Sequence, residues 1–311
     1  MVSKEKYLEF CNASDVYVPV FSQPWWMDAA CGKENWNVYV VEKGGGVVAA
    51  MPYYLENRGG ELVITKAKNT QNNGILIRYP ENQKYISRLD YEEKIIEEVI
   101  GFIEGLGLAR YEQQYHYSFE NWLPFFWNGY GETTRYTYVI EDTRDMERVE
   151  ADFSTDARKA LRKARRIVRL NEEELTADAF YGINRMSFAR QGKEIPYSLE
   201  FVQEIYRAAK KHDAVKILSA VDEEANIHSV ALIVWDSRSV YYLLNGSDPR
   251  FRASQANTFL IYEAIKMAHA LGKKFDFEGS VIRPIERAFR EYGGIRKPYF
   301  RITKTFGVKE A

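Results

Sequence analysis

The segment from Phe275 to Gly294, FDFEGSVIRPIERAFREYGG, concentrates charged residues of both signs. Two carboxylates, Asp276 and Glu278, lie two residues apart, and three arginines follow between positions 283 and 290. A carboxylate can accept a proton from a reacting group, and a guanidinium group can stabilise a developing negative charge. The same residues can instead form a structural network, for example if Glu286 pairs with Arg290 one helical turn later. The residue types therefore permit acid–base chemistry without requiring it.

A strand and a helix must position these side chains. In KFDFEG, the alternation of a strand predicts that Asp276 and Glu278 share one face and the phenylalanines the other. Pro284 suits the first turn of the helix that follows, and Gly293 suits its C-terminal end. The predicted buried stripe of that helix consists of Ile285, Ala288 or Phe289, and Tyr292.

A second charged segment lies near the middle of the chain. Seven of the twelve residues 158–169 are basic, on a helix predicted over Thr155–Leu170 with Ser154 as its N-cap. The arginines that share one predicted face are Arg158, Arg162, Arg165 and Arg169. This face is either solvated or a binding surface for phosphates of a nucleotide sugar, a coenzyme or RNA.

Composition excludes several classes of protein. A chain of 311 residues with 46% hydrophobic residues fits two domains better than one. The formal net charge of -1 argues against a general preference for DNA, other nucleic acid or an anionic membrane, so any anion-binding site must be local. The start resembles no signal peptide and the apolar runs are short, so we expect a cytoplasmic protein with no membrane span. Two cysteines and four histidines are scattered, so we expect no metal site.

One order of elements occurs twice along the chain. In the first half, two β-rich runs flank a glycine-rich turn at Lys43–Gly46, and a helix with an isoleucine-rich stripe follows. In the second half, three strands are followed by a helix that stops at Gly272. Each helix leads into another strand. This order predicts a mixed α/β (α+β) fold in two similar domains, residues 1–146 and 147–311.

Several segments occur together in the order found in Fem-type and related GNAT-fold acyltransferases. They are YTYVIED, DARKALRKARR, RMSFARQGKEIPYS, VYYLLNGSD, ANTFLIYEAIKMAHALGKKFDFEGS and AFREYGGIRKPYFRITK. The resemblance implies two tandem GNAT-like domains with mixed, largely antiparallel sheets, which transfer an acyl group to an amine bound between them. In Fem-type enzymes the donor is an aminoacyl-tRNA and the acceptor a cell-wall precursor. In other GNAT-fold enzymes the donor is acetyl-CoA or another acyl-CoA.

The resemblance also implies roles for particular residues. Glu278 or Asp276 would take the proton from the attacking amine, and Arg290 would stabilise the oxyanion. In GNAT enzymes the loop that binds the coenzyme A pyrophosphate has the form Q/R-x-x-G-x-G/A, whereas residues 250–255 read RFRASQ and lack both glycines. The residues assigned to the donor phosphates are Arg250, Arg252, Ser254, Arg158 and Arg162.

Polar residues in turn-like stretches, or just after strands, are candidate contacts for the acceptor. The acceptor would be a small molecule or a cell-wall precursor that carries an amine. The candidates are Gln71, Asn73, Arg190, Gln191, Tyr197, Asn245 and Ser247. The alternative hypothesis is that the chain has lost catalysis and is a GNAT-like module that binds a nucleotide sugar or RNA through the helix at 155–170.

Overall fold

The computed structural model describes residues 2–13 and 15–307 and divides into two compact units. The first unit consists of Met1–Arg135 and Pro298–Ala311, and the second consists of Tyr136–Lys297. These units differ from the predicted ranges 1–146 and 147–311. The last strand pairs with residues 110–114, so the end of the chain belongs to the first unit.

Helices and strands alternate along the chain. The first half contains α1 (Val2–Asn12), α2 (Pro24–Cys31), β1 (Trp36–Lys43), β2 (Gly46–Arg58), β3 (Glu61–Thr65), β4 (Leu76–Ile77), α3 (Tyr85–Gly105), β5 (Arg110–Gln114), α4 (Leu123–Trp127) and β6 (Gly131–Ile140). The second half contains α5 (Met146–Ala151), α6 (Thr155–Ala164), β7 (Arg169–Leu170), α7 (Ala177–Ala189), α8 (Leu199–Lys211), β8 (Val215–Val221), β9 (Ile227–Trp235), β10 (Ser239–Ser247), α9 (Ala256–Ala270), β11 (Lys274–Asp276), α10 (Arg283–Arg290) and β12 (Ile295–Thr305). Short 3-10 helices lie at Val20–Ser22 and Pro249–Ser254.

The first unit begins its sheet with the predicted hairpin. Lys43 pairs with Gly46, and Gly44 and Gly45 have φ of 61° and 83°, as a two-residue hairpin turn of this type requires. β2 pairs antiparallel with β3, β3 parallel with β5, and β5 antiparallel with β12. α3 buries the predicted stripe in the core of this unit: Ile95, Ile96, Val99, Ile100 and Ile103.

The second unit repeats this arrangement. β8, β9 and β10 form an antiparallel meander, α9 follows, and β11 pairs parallel with β10. In the first unit β1, β2 and β3, then α3, then β5 parallel with β3, follow the same order. The predicted mixed α/β fold with largely antiparallel sheets, built twice, is therefore confirmed.

The core of the second unit lies on one face of its sheet. Leu161 of α6 and Leu260 of α9 pack there with Val240 and Phe275 from the strands. Leu271, the C-cap residue of α9, is 41% exposed. No helix among residues 2–13 and 15–307 is both long and apolar enough to cross a lipid bilayer.

Candidate active site

The two parallel strands of the second unit separate after a short ladder. Within the described part of the chain, β10 and β11 pair only at Ser239–Lys274, Val240–Phe275 and Tyr241–Asp276. β10 then shifts its register on β9 between Tyr242 and Leu244 and continues to Ser247. Ligands of α/β proteins commonly bind at the carboxyl ends of strands, where neighbouring strands diverge. Asp276 lies at this point.

Asp276 is a buried carboxylic acid. Its side chain is 1% exposed, and burial raises the pKa of this carboxyl to about 7, with a further increase from the nearby Asp236 and Glu141. Two hydrogen bonds oppose the increase: the Thr137 hydroxyl donates to Oδ1 at 2.5 Å, and the Glu278 N–H donates to the same oxygen at 2.7 Å. Oδ2 is buried and has no hydrogen-bond partner among the described residues. A carboxyl with this pKa can take and release a proton near neutral pH.

The chain turns sharply after Asp276. β11 ends there, and Glu278 and Gly279 both have left-handed backbone conformations, with φ of 60° and 67°. The prediction that a continuous strand carries Asp276 and Glu278 on one face is therefore wrong. A Cβ at Gly279 would lie 2.0 Å from the carbonyl oxygen of Tyr136, so only glycine fits at this position. The turn thus holds the Glu278 N–H against the Asp276 carboxyl.

Arg290 lies at the end of α10, which begins at Arg283 with Pro284 in its first turn, as predicted. Its Nε is 4.0 Å from Oε1 of Glu286, and the side chain is exposed. Glu286 also accepts a hydrogen bond from the Tyr138 hydroxyl at 2.5 Å. The i, i+4 pair allowed by the sequence is therefore present.

The segment assigned to the donor phosphates forms the 3-10 helix Pro249–Ser254. Arg250 makes two hydrogen bonds, 3.0 and 2.7 Å long, to Oδ2 of the buried Asp248, so its guanidinium group is already paired. The Ser254 hydroxyl donates to the Phe251 carbonyl at 2.8 Å, and Arg252 is exposed.

Gln255 occupies the last position of this segment, where the GNAT loop has glycine or alanine. Its φ is 62°, so the backbone adopts a left-handed conformation that glycine favours, although the side chain is glutamine. α9 begins at the next residue, and Gln255 makes no side-chain cap to it. The local backbone therefore leads directly into the N-terminus of a long helix, where anions are favoured.

The basic helix is shorter than predicted. Ser154 caps α6 as expected, because its Oγ accepts the Ala157 N–H at 3.1 Å. The helix ends at Ala164, not at Leu170, since the Ile167 and Val168 N–H groups both bond to the Ala164 carbonyl.

The chain beyond Ala164 does not continue the predicted arginine face. Arg169 lies on β7 and pairs with β8, and Arg165 forms two hydrogen bonds to Glu150, 3.0 and 2.8 Å long. Arg158 and Arg162 remain on α6, and Nη1 of Arg158 donates to the Ala151 carbonyl at 3.3 Å. The four predicted arginines therefore do not share one helix face.

Several candidate acceptor residues meet around Asn184 of α7. This buried amide accepts a hydrogen bond from the Tyr197 hydroxyl at 2.8 Å and donates to the Asn245 carbonyl at 2.6 Å. A Cβ at Gly246 would lie 2.4 Å from the Asn184 Cα, so α7 packs directly against β10. The Ser247 N–H donates a hydrogen bond to Oγ of Ser187 at 2.9 Å. These contacts bind α7 to β10.

The remaining candidates lie elsewhere. Arg190 caps the C-terminus of α7 and is exposed, and the exposed Gln191 donates to the Ser187 carbonyl at 3.1 Å. In the first unit, Asn73 is buried and donates to the Phe21 carbonyl at 2.8 Å. Gln71 is also buried, and its carbonyl accepts a hydrogen bond from the Gln114 side chain at 2.5 Å.

Sequence reasoning missed the polar groups at the start of α9. Oδ1 of Asn257 accepts hydrogen bonds from the Tyr242 hydroxyl at 3.0 Å and from Nδ2 of Asn245 at 2.8 Å. At the next residue, Oγ1 of Thr258 lies 3.2 Å from the Tyr292 hydroxyl. The dipeptide Asn-Thr ahead of an apolar helical stripe was the available signal, since polar residues at a helix start commonly serve as caps or ligand contacts.

Comparison with known proteins identifies the fold. Residues 151–281 match the family model of the acetyltransferase (GNAT) domain, a range that includes Asp276. The structure of FemX matches over 90% of this chain and 91% of that chain, with a TM-score of 0.68 and 11% identity. The chain has a tandem GNAT-type fold. The predicted resemblance to Fem-type GNAT-fold proteins is thereby confirmed.

Two other solved structures are similar to this chain in fold. A tandem GNAT protein from the clavulanic acid biosynthesis pathway matches over 88% of this chain and 84% of that chain, with a TM-score of 0.52 and 11% identity. L-PGS from Bacillus licheniformis matches over 88% and 86%, with a TM-score of 0.54 and 9% identity. At these identities the likeness is one of fold. No curated protein sequence matches this chain.

Among the residues that the structure describes, no group of three or more His, Cys, Asp or Glu side chains is arranged to hold a metal ion.

Proposed function

We propose that this protein is an N-acyltransferase in which Asp276 is the general base. The observation that carries the proposal is a buried carboxyl with a pKa of about 7, placed where β10 and β11 separate. A general base works best when its pKa lies near the working pH, because it is then both available and strong enough. An acyl transfer to an amine requires such a base, and the GNAT family match over residues 151–281 supports this reaction class.

In the proposed step the amine nitrogen attacks the carbonyl carbon of the donor. A C–N bond forms, and the C–S bond of a thioester or the C–O bond of an ester breaks. Asp276 takes the amine proton at Oδ2, the oxygen without a hydrogen-bond partner among the described residues, and the proton then neutralises the leaving thiolate or alkoxide. The Thr137 hydroxyl and the Glu278 N–H fix the orientation of the carboxyl through Oδ1.

The proposal retains Arg290 as the stabiliser of the oxyanion and Glu278 as the second candidate base. Arg290 is exposed, and its pairing with Glu286 at 4.0 Å is loose enough to be exchanged for a ligand. A guanidinium group can donate hydrogen bonds to an oxyanion in the transition state. The exposed ion pair with Glu286 does not prevent Arg290 from doing so.

We propose an acyl-CoA as the donor, with its phosphates at the start of α9. The left-handed Gln255 and the long helix behind it support this position, and the exposed Arg252 is available to a phosphate. Arg250 is less suited, because Asp248 already accepts its guanidinium hydrogen bonds. An aminoacyl-tRNA is the other donor implied by the Fem-type fold.

For the acceptor amine, Asn245 and Ser247 remain proposed contacts, since both lie on β10 beyond its ladder with β11.

The reaction is tested with the purified protein, acetyl-CoA and a panel of primary amines, with release of the coenzyme A thiol as the signal. A parallel set of reactions uses aminoacyl-tRNA. We expect Asp276→Asn to lower turnover by about 100-fold or more, and Glu278→Gln to retain most of it. Unchanged turnover of the Asp276→Asn variant would exclude Asp276 as the base. Loss of turnover only in Glu278→Gln would assign that role to Glu278, and no transfer from either donor would contradict the proposed reaction.

A further inference from the structure

α10 and the two residues before it expose aliphatic side chains to solvent. No residue of α10 is fully buried, and Val281, Ile282 and Ile285 are 68%, 54% and 40% exposed. The prediction that Ile285 lies on a buried stripe is therefore wrong. Phe289 alone among the large apolar side chains of α10 packs against the core of the second unit. Three clustered exposed aliphatic residues form an apolar patch, and such patches commonly mark interaction surfaces.

The charged residues of α10 are distributed unequally. Arg283 and Arg287 are exposed, as is Arg290. The acidic residue within the helix, Glu286, is half-buried and accepts a hydrogen bond from the Tyr138 hydroxyl. The outer surface of this segment therefore combines aliphatic side chains with guanidinium groups, a composition typical of helices that lie in a membrane interface.

The N-terminal end of α6, the helix that carries the basic side chains, adjoins the C-terminal end of this segment. The Ser154 N–H, at the start of α6, donates to the carbonyl of Glu291, just after α10, at 2.8 Å. The rings of Phe153 and Tyr292, which flank the same two helix ends, are 5.2 Å apart. Both helices therefore pack on the same core and the same face of the sheet.

Basic side chains of α6 and of the turn that follows it surround a shallow depression of about 270 Å³. It is lined by Lys159, Arg162, Lys163, Arg166 and Ile167. No carboxylate contributes to this lining, and Ile167 is 37% exposed. The whole chain carries a net charge of -1, so the positive charge is a local property of this region.

We propose that α10, residues 281–282 and the basic side of α6 form a surface that binds an anionic lipid bilayer. The aliphatic side chains would enter the boundary between headgroups and acyl chains, while Arg283 and Arg287 of α10 and the basic side chains beside α6 contact lipid phosphates. The exposed aliphatic residues favour a bilayer over RNA, because a phosphate backbone offers no hydrocarbon to cover Val281 and Ile282. The proposal is independent of the acyl donor and of catalysis by Asp276.

Binding is measured by co-sedimentation of the full chain with vesicles of phosphatidylcholine or of an equimolar mixture with phosphatidylglycerol. We expect binding to the mixed vesicles only, and weaker binding as salt increases. Lys163→Gln with Arg166→Gln should lower the partition coefficient about 25-fold, at about fivefold for each cation removed. Val281→Ser with Ile282→Ser should lower it by about tenfold or more, because hydrocarbon burial is lost.

Two control variants test whether binding depends on this surface, and not on the total charge of the protein or on any exposed apolar side chain. Arg207→Gln with Lys211→Gln removes the same charge from α8, and Met186→Ser removes an exposed apolar side chain from α7. Both controls should bind as the unchanged protein does. Equal binding of all variants, equal binding to neutral vesicles, or binding to total tRNA without binding to vesicles would each overturn the proposal. Because every substituted side chain is exposed or lies on a surface helix, circular dichroism should show native folding throughout.

Discussion

Replacing Asp276 by asparagine should stabilise the protein at neutral and alkaline pH. The carboxyl has a pKa of about 7 in the folded chain, against 3.8 for the unfolded reference. Below pH 3.8 both states are protonated and the group has no effect on stability. As pH rises, the unfolded state loses the proton first, so folding becomes less favourable until the pH exceeds about 7. Because the pKa in the folded chain lies about 3 above the unfolded reference, ionised Asp276 lowers the free energy of unfolding by about 4 kcal/mol above pH 7.

Asparagine is nearly isosteric and its amide oxygen can still accept the Thr137 and Glu278 hydrogen bonds, but it has no ionisable group. We therefore expect the free energy of unfolding of Asp276→Asn, relative to the unchanged protein, to rise by about 4 kcal/mol between pH 4 and pH 8. Denaturant titration followed by circular dichroism at several pH values measures this difference. Asp90→Asn, at an exposed carboxylate, is the control and should show little pH-dependent difference. A pH-independent difference for Asp276→Asn, or lower stability at pH 8, would refute the reasoning.

Two further predictions concern packing in the second unit. Gly279→Ala should destabilise the protein by about 4 kcal/mol or more in denaturant titration, because the new Cβ would overlap the Tyr136 carbonyl at 2.0 Å. Gly272→Ala, with a similar φ of 64° and open space at Cβ, should cost only about 1 to 2 kcal/mol, and equal costs would contradict the clash. Tyr197→Phe should cost about 1 to 2 kcal/mol in the same assay, since it removes the 2.8 Å hydrogen bond to the buried Asn184 amide. A cost near zero would mean that water or another group replaces this hydroxyl.

Periodicity was sufficient to predict the elements that bury a continuous apolar stripe. One stripe of α3 is spaced for a single helix face, and its five residues are all buried, because burial of that face stabilises the helix: Ile95, Ile96, Val99, Ile100 and Ile103. The hairpin at Gly44 and Gly45 was predictable for a local reason, since a two-residue turn requires left-handed backbone there. Such features depend only on neighbours in sequence.

Charge spacing was a poorer guide to helix length. The arginine spacing suggested a helix through Leu170, but the apolar residues after Ala164 pack better from a turn and a short strand than from another helical turn. Arg165 then pairs with Glu150 rather than with its helical neighbours. Exposed charges contribute too little free energy to decide where a helix ends.

The environment of Asp276 could not be derived from the sequence around it. Its partner Thr137 lies on β6, 139 positions earlier, and strand pairing alone brings the two side chains together. The resemblance to Fem-type proteins drew attention to Asp276, whereas the burial that raises its pKa became visible only in the folded chain. For the same reason the hydrogen bonds of Asn257 with Tyr242 and Asn245 were not anticipated.

The role of Asp276 as the general base is tested most directly by the pH dependence of acyl transfer. With saturating donor and amine between pH 5.5 and 8.5, the rate of the unchanged protein should rise through an apparent pKa near 7 and then level off. The Asp276→Asn variant should show a low rate without this inflection. The same inflection in the variant, or none near pH 7 in the unchanged protein, would contradict the assignment.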